Sequence, residues 1–172
     1  MKKFSLIFIT GLTFLVISSG GNPVFAGSEK FDAAMQPVLA EYLKITDSLA
    51  SDKTEGVNDA AKKIDGLAGG VSPSLVSGEH AAHYASIPGK ISEAAKKMAA
   101  AKDIETLRAA LVDLSKPMVM WVSMSKPSGI NVIYCSMKPG SWLQKGATVR
   151  NPYYGAKMLS CGEIISGPDA KK

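Results

Sequence analysis

Cys135 and Cys161 are the two cysteines in a chain of 172 residues, and each has a methionine beside it. In Cys135-Ser136-Met137 a thiol and a thioether stand two residues apart, on one side of an extended chain. Met158 precedes Cys161 by three residues, one turn away if that part is helical. Thiolate and thioether sulfurs are soft ligands, suited to Cu(I) and unsuited to hard ions such as Mg²⁺ and Ca²⁺. Zinc would want Cys and His in tighter pairs such as C-x-x-C, and that spacing is absent. His80 and His83 form an H-x-x-H pair that can be half of a metal site. The adjacent Glu of H-E-x-x-H is missing, so the pair does not point to metalloprotease chemistry. Its plainer reading is a solvated helix start.

The same two cysteines have a second use. In an oxidising compartment two cysteines usually pair. A crosslink over this separation stabilises a fold by roughly 3 to 4 kcal/mol in the chain-entropy model. A disulfide and a pair of metal-binding thiolates exclude each other, so oxidation would switch the cysteine part of a metal site off.

The start of the chain favours such a compartment. Lys2 and Lys3 precede an apolar run from Phe4 to Ile17, and Val24-Phe25-Ala26 reads as a cleavage site. This is the pattern of a secretory signal peptide over residues 1–26, with the mature chain starting near Gly27 in the periplasm. No cysteine at the cleavage point suggests a lipoprotein. No later stretch is long and apolar enough to span a bilayer, so no membrane span is expected after cleavage.

Four helical segments must position these residues. Phe31, Met35, Val38, Leu39 and Tyr42 fall at helical spacing in a first helix running to about Ala50. Pro37 is expected to kink it or to delay its start to about Gln36. Asp52 or Thr54 can cap a second helix through Val57, Ala60, Ala61, Ile64 and Leu67. A third begins at Glu79-His80, is disturbed at Pro88-Gly89 and resumes to Ala99. Asp103 caps a fourth, with Ile104, Leu107, Leu111, Leu114, Met118, Trp121 and Val122 as its buried stripe and a kink at Pro117. Met120 and Met124 fall opposite the first part of that stripe. They are expected either to pack under the aromatics of the C-terminal segment or to line a soft-metal site near Met137.

The resulting expectation is all-α: an antiparallel four-helix bundle over residues 27–128. Residues 129–172 are read as an irregular C-terminal extension packed on the bundle in the same domain, with room for a short strand pair. Pro139-Gly140, Gly146, Asn151-Pro152 and Gly155 punctuate it.

Composition narrows the function. The whole chain carries +5, and removal of the two signal-peptide lysines leaves +3, spread without clustering. No basic stripe with interleaved aromatics marks a nucleic-acid binder. Nothing reads as a nucleophile elbow, a phosphate loop or a paired-carboxylate site, and the chain is not read as an enzyme.

The C-terminal residues carry a resemblance. Cys135-Ser136-Met137, Trp142-Leu143, Arg150-Asn151-Pro152-Tyr153-Tyr154-Gly155, Lys157-Met158-Leu159 and Cys161-Gly162 resemble a domain of unknown function in exported bacterial proteins. That family occurs alone and fused to the periplasmic adaptor subunits of copper and heavy-metal RND efflux systems. Ser136 departs from its usual proline. The resemblance implies a helical bundle and a role near copper or heavy-metal handling. Carried over, Cys135, Met137, Met158 and Cys161 are metal ligands; His80 and His83, read from their own H-x-x-H spacing and not from the resemblance, are candidate additions. The expected cofactor is Cu(I) or none. The partners are the metal ion and an RND efflux adaptor or another periplasmic protein. The rival expectation is a scaffold domain stapled by a Cys135–Cys161 disulfide, meeting its partner through Trp142 and Tyr153-Tyr154.

Overall fold

A computed structural model describes residues 26–76, 81–138 and 140–171. The expected signal peptide up to residue 25, and the helix start at Glu79-His80, lie outside the described residues.

The first helix, α1 (Ala26–Ala50), buries Phe31, Met35, Val38, Leu39, Tyr42, Ile45 and Leu49. It passes through Pro37 and begins well before it. The carbonyl that Pro37 leaves without a donor belongs to Ala33, four residues back on the exposed side, where water can serve it. Helix α2 (Val57–Gly69) starts after Gly56 in the left-handed region, with no side-chain cap. Asp52 does not cap it, because its carboxylate is taken by Arg108. A short α3 (Ala81–Ala85) and α4 (Ile87–Ala99) are separated at Ser86, two residues before the expected break. Pro88 lies in the first turn of α4, where a missing N–H leaves no bond unmade. Helix α5 (Ile104–Ser125) has the cap expected of it. The Thr106 backbone N–H donates to Asp103 Oδ1 at 2.8 Å, and the Asp103 N–H donates to Thr106 Oγ1 at 3.3 Å. Pro117 lies inside α5, and the carbonyl it frees is that of the exposed Asp113.

The all-α expectation is wrong beyond α5. Residues expected to be irregular form a three-stranded antiparallel sheet of β1 (Ile130–Cys135), β2 (Gly140–Lys145) and β3 (Glu163–Ser166), in the order β2-β1-β3. The fold is therefore mixed, helices plus sheet. Ile130↔Lys145 and Cys135↔Gly140 are the two ends of the β1–β2 register. The glycines taken as punctuation of a loop are the ends of strands: Gly140 opens β2, and Gly146 follows it at φ 76°. Between them Trp142, Leu143 and Gln144 are buried. β3 joins β1 through Val132↔Ser166, Ile133↔Ile164 and Tyr134↔Glu163, with an irregularity between Val132 and Ile133.

The helices pack in chain order, α1 on α2, α2 on α4 and α4 on α5, while β2 lies over both α5 and α1. One apolar cluster runs from the helices into the sheet and includes Ile130, Val132, Ile133, Cys135, Trp142, Leu143 and Tyr153. At its centre the hydroxyls of Tyr42 and Ser115 are 2.6 Å apart, and the Leu143 N–H donates to Tyr42 Oη at 3.4 Å. Helix α1, helix α5 and strand β2 thus share one buried polar knot. Met120 and Met124 are half-buried against the same core.

A second tie fixes the C-terminal segment at the far end of α1. Arg108 donates to the Leu49 carbonyl at 2.9 Å, to Asp52 Oδ1 at 2.6 Å and to the Pro152 carbonyl at 3.1 Å. Asp52 Oδ2 accepts the Ala156 N–H at 3.0 Å. Gly155 lies between them at φ +58°, and a β-carbon there would collide with Asp52 and Arg108. The Arg108 hydrogen bond, and then the Ala156 N–H, hold the Asp52 carboxyl below its ordinary value of 3.8. A carboxylate with a folded pKa below its unfolded one stabilises the fold above the unfolded value, and that stability fades as pH falls through the folded one. Asp52→Asn should therefore lower the melting temperature at pH 7, and the gap from wild type should close below the ordinary carboxylate range. Melts recorded from pH 7 to pH 2 check this, and a gap that stays constant would contradict it.

Candidate functional site

The two cysteines meet. Cys135 ends β1, and Cys161 lies in the loop that leads into β3. Their Sγ atoms are 3.2 Å apart and both cysteines are free. Cys135 is fully buried, and Cys161 is partly exposed. Gly162 follows at φ +152°, against the Trp142 ring and Ile133, where a β-carbon would come within 2.7 Å of Trp142 and 2.8 Å of Ile133. Only a residue without a side chain lets the Cys161 backbone come so close to the sheet.

The loop joining β1 to β2 supplies donors to Cys135. Burial raises the pKa of the Cys135 thiol. The backbone N–H groups of Lys138 and Met137, the Cys161 thiol and the Asn151 side chain outweigh burial and hold it below a cysteine's ordinary value. Cys161 moves the other way, raised by its hydrogen bond to Cys135, by burial and by the Cys135 charge.

Asn151 joins the two sides of the site. Its Nδ2 donates to the Cys161 carbonyl at 2.7 Å, and its side chain is near enough to Cys135 to help lower that thiol's pKa. Its Oδ1 accepts the Tyr153 N–H at 2.8 Å, the Asx turn that Asn-Pro segments favour. Its backbone N–H donates to the Leu159 carbonyl at 2.7 Å, and its carbonyl accepts the Gly155 N–H at 3.0 Å. The two tyrosines then hold the β1–β2 loop. Tyr154 Oη donates to the Met137 carbonyl at 3.2 Å, Tyr153 Oη donates to the Ser141 carbonyl at 2.6 Å, and Lys138 Nζ lies 5.9 Å from the centre of the Tyr153 ring.

The methionines frame this pair differently. Met137 is 64% exposed on the loop after Cys135. Met158 is half-buried at the end of a 3-10 turn (Gly155–Met158), and its carbonyl accepts the Cys161 N–H at 3.0 Å. His83 stands apart. It is exposed on α3, where the neighbouring Tyr84 meets Phe31 edge-on at 6.1 Å. Phe31 is near the start of α1, whereas the 3-10 turn docks just past its end, roughly 28 Å away at 1.5 Å per residue. Among the described residues no three His, Cys, Asp or Glu side chains surround a common point. His80 lies outside the described residues. Trp142 and Tyr153, expected on a partner-facing surface, are buried against each other at 5.6 Å with their rings nearly perpendicular. Neither Lys138 nor Asn151 stands out in the sequence as a site residue. Asn151-Pro152 did signal a turn, but nothing in the spacing showed that its amide reaches both cysteines.

Removing that amide should be felt throughout the site. Asn151→Ala leaves the Cys161 carbonyl and the Tyr153 N–H without partners and should lower stability by about 2 to 3 kcal/mol. Urea unfolding of the reduced protein measures this, and a loss under about 0.5 kcal/mol, the range of an ordinary surface substitution, would contradict it.

Among the described residues no helix is long and apolar enough to cross a membrane. In comparisons with known proteins, no curated protein and no solved structure matched the chain. A family profile described as "Protein of unknown function (DUF3347)" matches residues 38–129. The match runs from within α1 to the glycine that precedes β1, just over half of the chain. It rests on the helices and stops short of both cysteines. By that match the chain belongs to the DUF3347 family of proteins of unknown function.

Proposed function

We propose that the chain is an exported, non-catalytic binding module for a soft metal ion, Cu(I), linked to heavy-metal handling or efflux in the periplasm. One observation carries the reading: two free thiols, 26 residues apart in sequence, stand 3.2 Å apart in space. Two thiolates on one metal, each at a bond length of about 2.3 Å, must lie within about 4.6 Å of each other. The pair lies inside that limit, and binding a linear or trigonal ion would move the two sulfurs apart from their 3.2 Å contact. Sulfur donors suit a soft ion of low coordination number. Met137, exposed beside Cys135, and Met158, next to Cys161, are the thioethers within the same short segments. His83 is not needed by this reading. The resemblance of the C-terminal segment to exported domains fused to RND efflux adaptors supports the compartment and the link to efflux. An adaptor or another periplasmic protein is then the partner that would receive or deliver the ion.

The same contact also favours the rival reading. A permanent disulfide between Cys135 and Cys161 would tie the end of the central strand to the start of β3, in a scaffold domain that binds no metal.

Native mass spectrometry during a Cu(I) titration, with and without prior oxidation, separates the two. The reduced protein should take up one Cu(I), and the oxidised protein, two protons lighter, should take up none at the cysteines. Cys135→Ser and Cys161→Ser should each weaken binding by at least about tenfold, the lower end of what loss of a ligand-shell residue does to metal affinity. His83→Ala should leave it unchanged. Serine variants that bind Cu(I) as tightly as wild type would sink the metal reading.

A further inference from the structure

We infer that the Cys135–Cys161 pair exchanges electrons with external disulfides, and that every such exchange passes through the Cys161 sulfur. Access and distance together carry this. Cys135 has no exposed surface, being at the end of the central strand and paired with Gly140 of β2. Cys161 is partly exposed and precedes Gly162 in the loop outside the sheet. The inner sulfur is 3.2 Å from the outer one, so whatever bonds to Cys161 is at once within reach of Cys135.

Thiol–disulfide exchange proceeds by attack of a thiolate on one sulfur of a disulfide, through a mixed disulfide. In the oxidising direction Cys161 attacks an external disulfide R–S–S–R, its proton passing by way of the adjacent Cys135 sulfur to the thiolate that leaves. The S–S bond of the reagent breaks, one thiolate RS⁻ leaves, and a bond forms between Cys161 and the remaining RS group. The Cys135 thiolate then attacks the Cys161 sulfur, the second RS⁻ leaves, and the Cys135–Cys161 disulfide closes. Two electrons pass from the protein to the reagent, which ends as two thiols once it has taken up the two protons. In the reducing direction an external thiolate can reach only the Cys161 sulfur, and Cys135 is the leaving group. The departing sulfur stays where it was, facing the N–H groups of Met137 and Lys138 and the Asn151 side chain. Successive backbone N–H groups in a turn form a concavity that holds an anion. The pair is thus a one-sided redox couple, with an outer sulfur that meets the reagent and an inner sulfur that resolves the adduct.

The test uses metal-free protein, so its outcome is separate from that of the copper reading. Wild type, Cys135→Ser and Cys161→Ser are incubated reduced with glutathione disulfide and followed by intact mass and peptide mapping. Cys135→Ser should accumulate one glutathione adduct on Cys161. Wild type should pass through that adduct to a species two protons lighter. Cys161→Ser should react at least about tenfold more slowly while folded, as buried thiols are inert, and at an ordinary rate in urea. Circular dichroism establishes that each variant is folded, and Cys161→Ala replaces the serine variant if that one unfolds. The inference is overturned if folded Cys161→Ser or Cys161→Ala takes up glutathione as fast as Cys135→Ser. It is also overturned if the wild-type adduct maps to Cys135 or persists without closing.

Discussion

The C-terminal segment depends on one buried amide. Asn151 bonds the backbone around it on four sides and reaches both cysteines, so it sets the position of the loop before β3 relative to the end of β1. A buried amide that satisfies this many groups is difficult to replace, because each partner left unpaired in a low-dielectric interior costs free energy of its own. The Asn-Pro-Tyr-Tyr-Gly run is therefore a folding device. It brings the loop at Met137 and the loop at Cys161 to a common point, with the Tyr153 hydroxyl bonded to β2 at Ser141 and the Tyr154 hydroxyl to the loop at Met137.

The helices contribute the platform. Tyr42, hydrogen-bonded to Ser115 of α5, meets the backbone of β2, and Arg108 with Asp52 grips the segment from Pro152 to Ala156. Both contacts use residues on α1, on α5 or just past them, the two helices that face the sheet. Helices α2 and α4 complete the core, packing on each other, on α1 and on α5. The family match covers the platform and ends where the sheet begins, so membership speaks for the scaffold, and the cysteine chemistry has to be argued from its own geometry.

The helical part was largely readable because its apolar residues recur at one period over long stretches. The α5 stripe and its Asp103 cap are where the spacing put them. Two details were displaced for identifiable reasons. Pro88 begins a helix, and Asp52 is drawn to a residue 56 positions away, which no local pattern reveals. The sequence left room for no more than a short strand pair because β1 is buried at Ile130, Asn131, Val132 and Ile133 in succession and lacks the alternation that marks a half-exposed strand. Its partners are short and bounded by the glycines and prolines that also mark loops. Cysteine proximity followed from sheet register and from the reach of Asn151, both tertiary. The sequence could offer the two cysteines only as alternatives, staple or ligand.

The grip of Asp52 on Ala156 spans 104 positions of chain, whereas the two sulfurs are only 26 apart. Contacts that close long loops form late, after the local ones have reduced the entropy of closure. Helix pairing among α1, α2, α4 and α5 joins mostly neighbouring segments, and the β1–β2 hairpin is local as well. Docking of the 3-10 turn under Arg108 is thus expected among the late events, with the equally distant contact of Tyr42 and Leu143, and until the turn is seated nothing fixes Cys161 beside Cys135. A chain caught before that step would present both thiols unprotected, free to find the wrong partner.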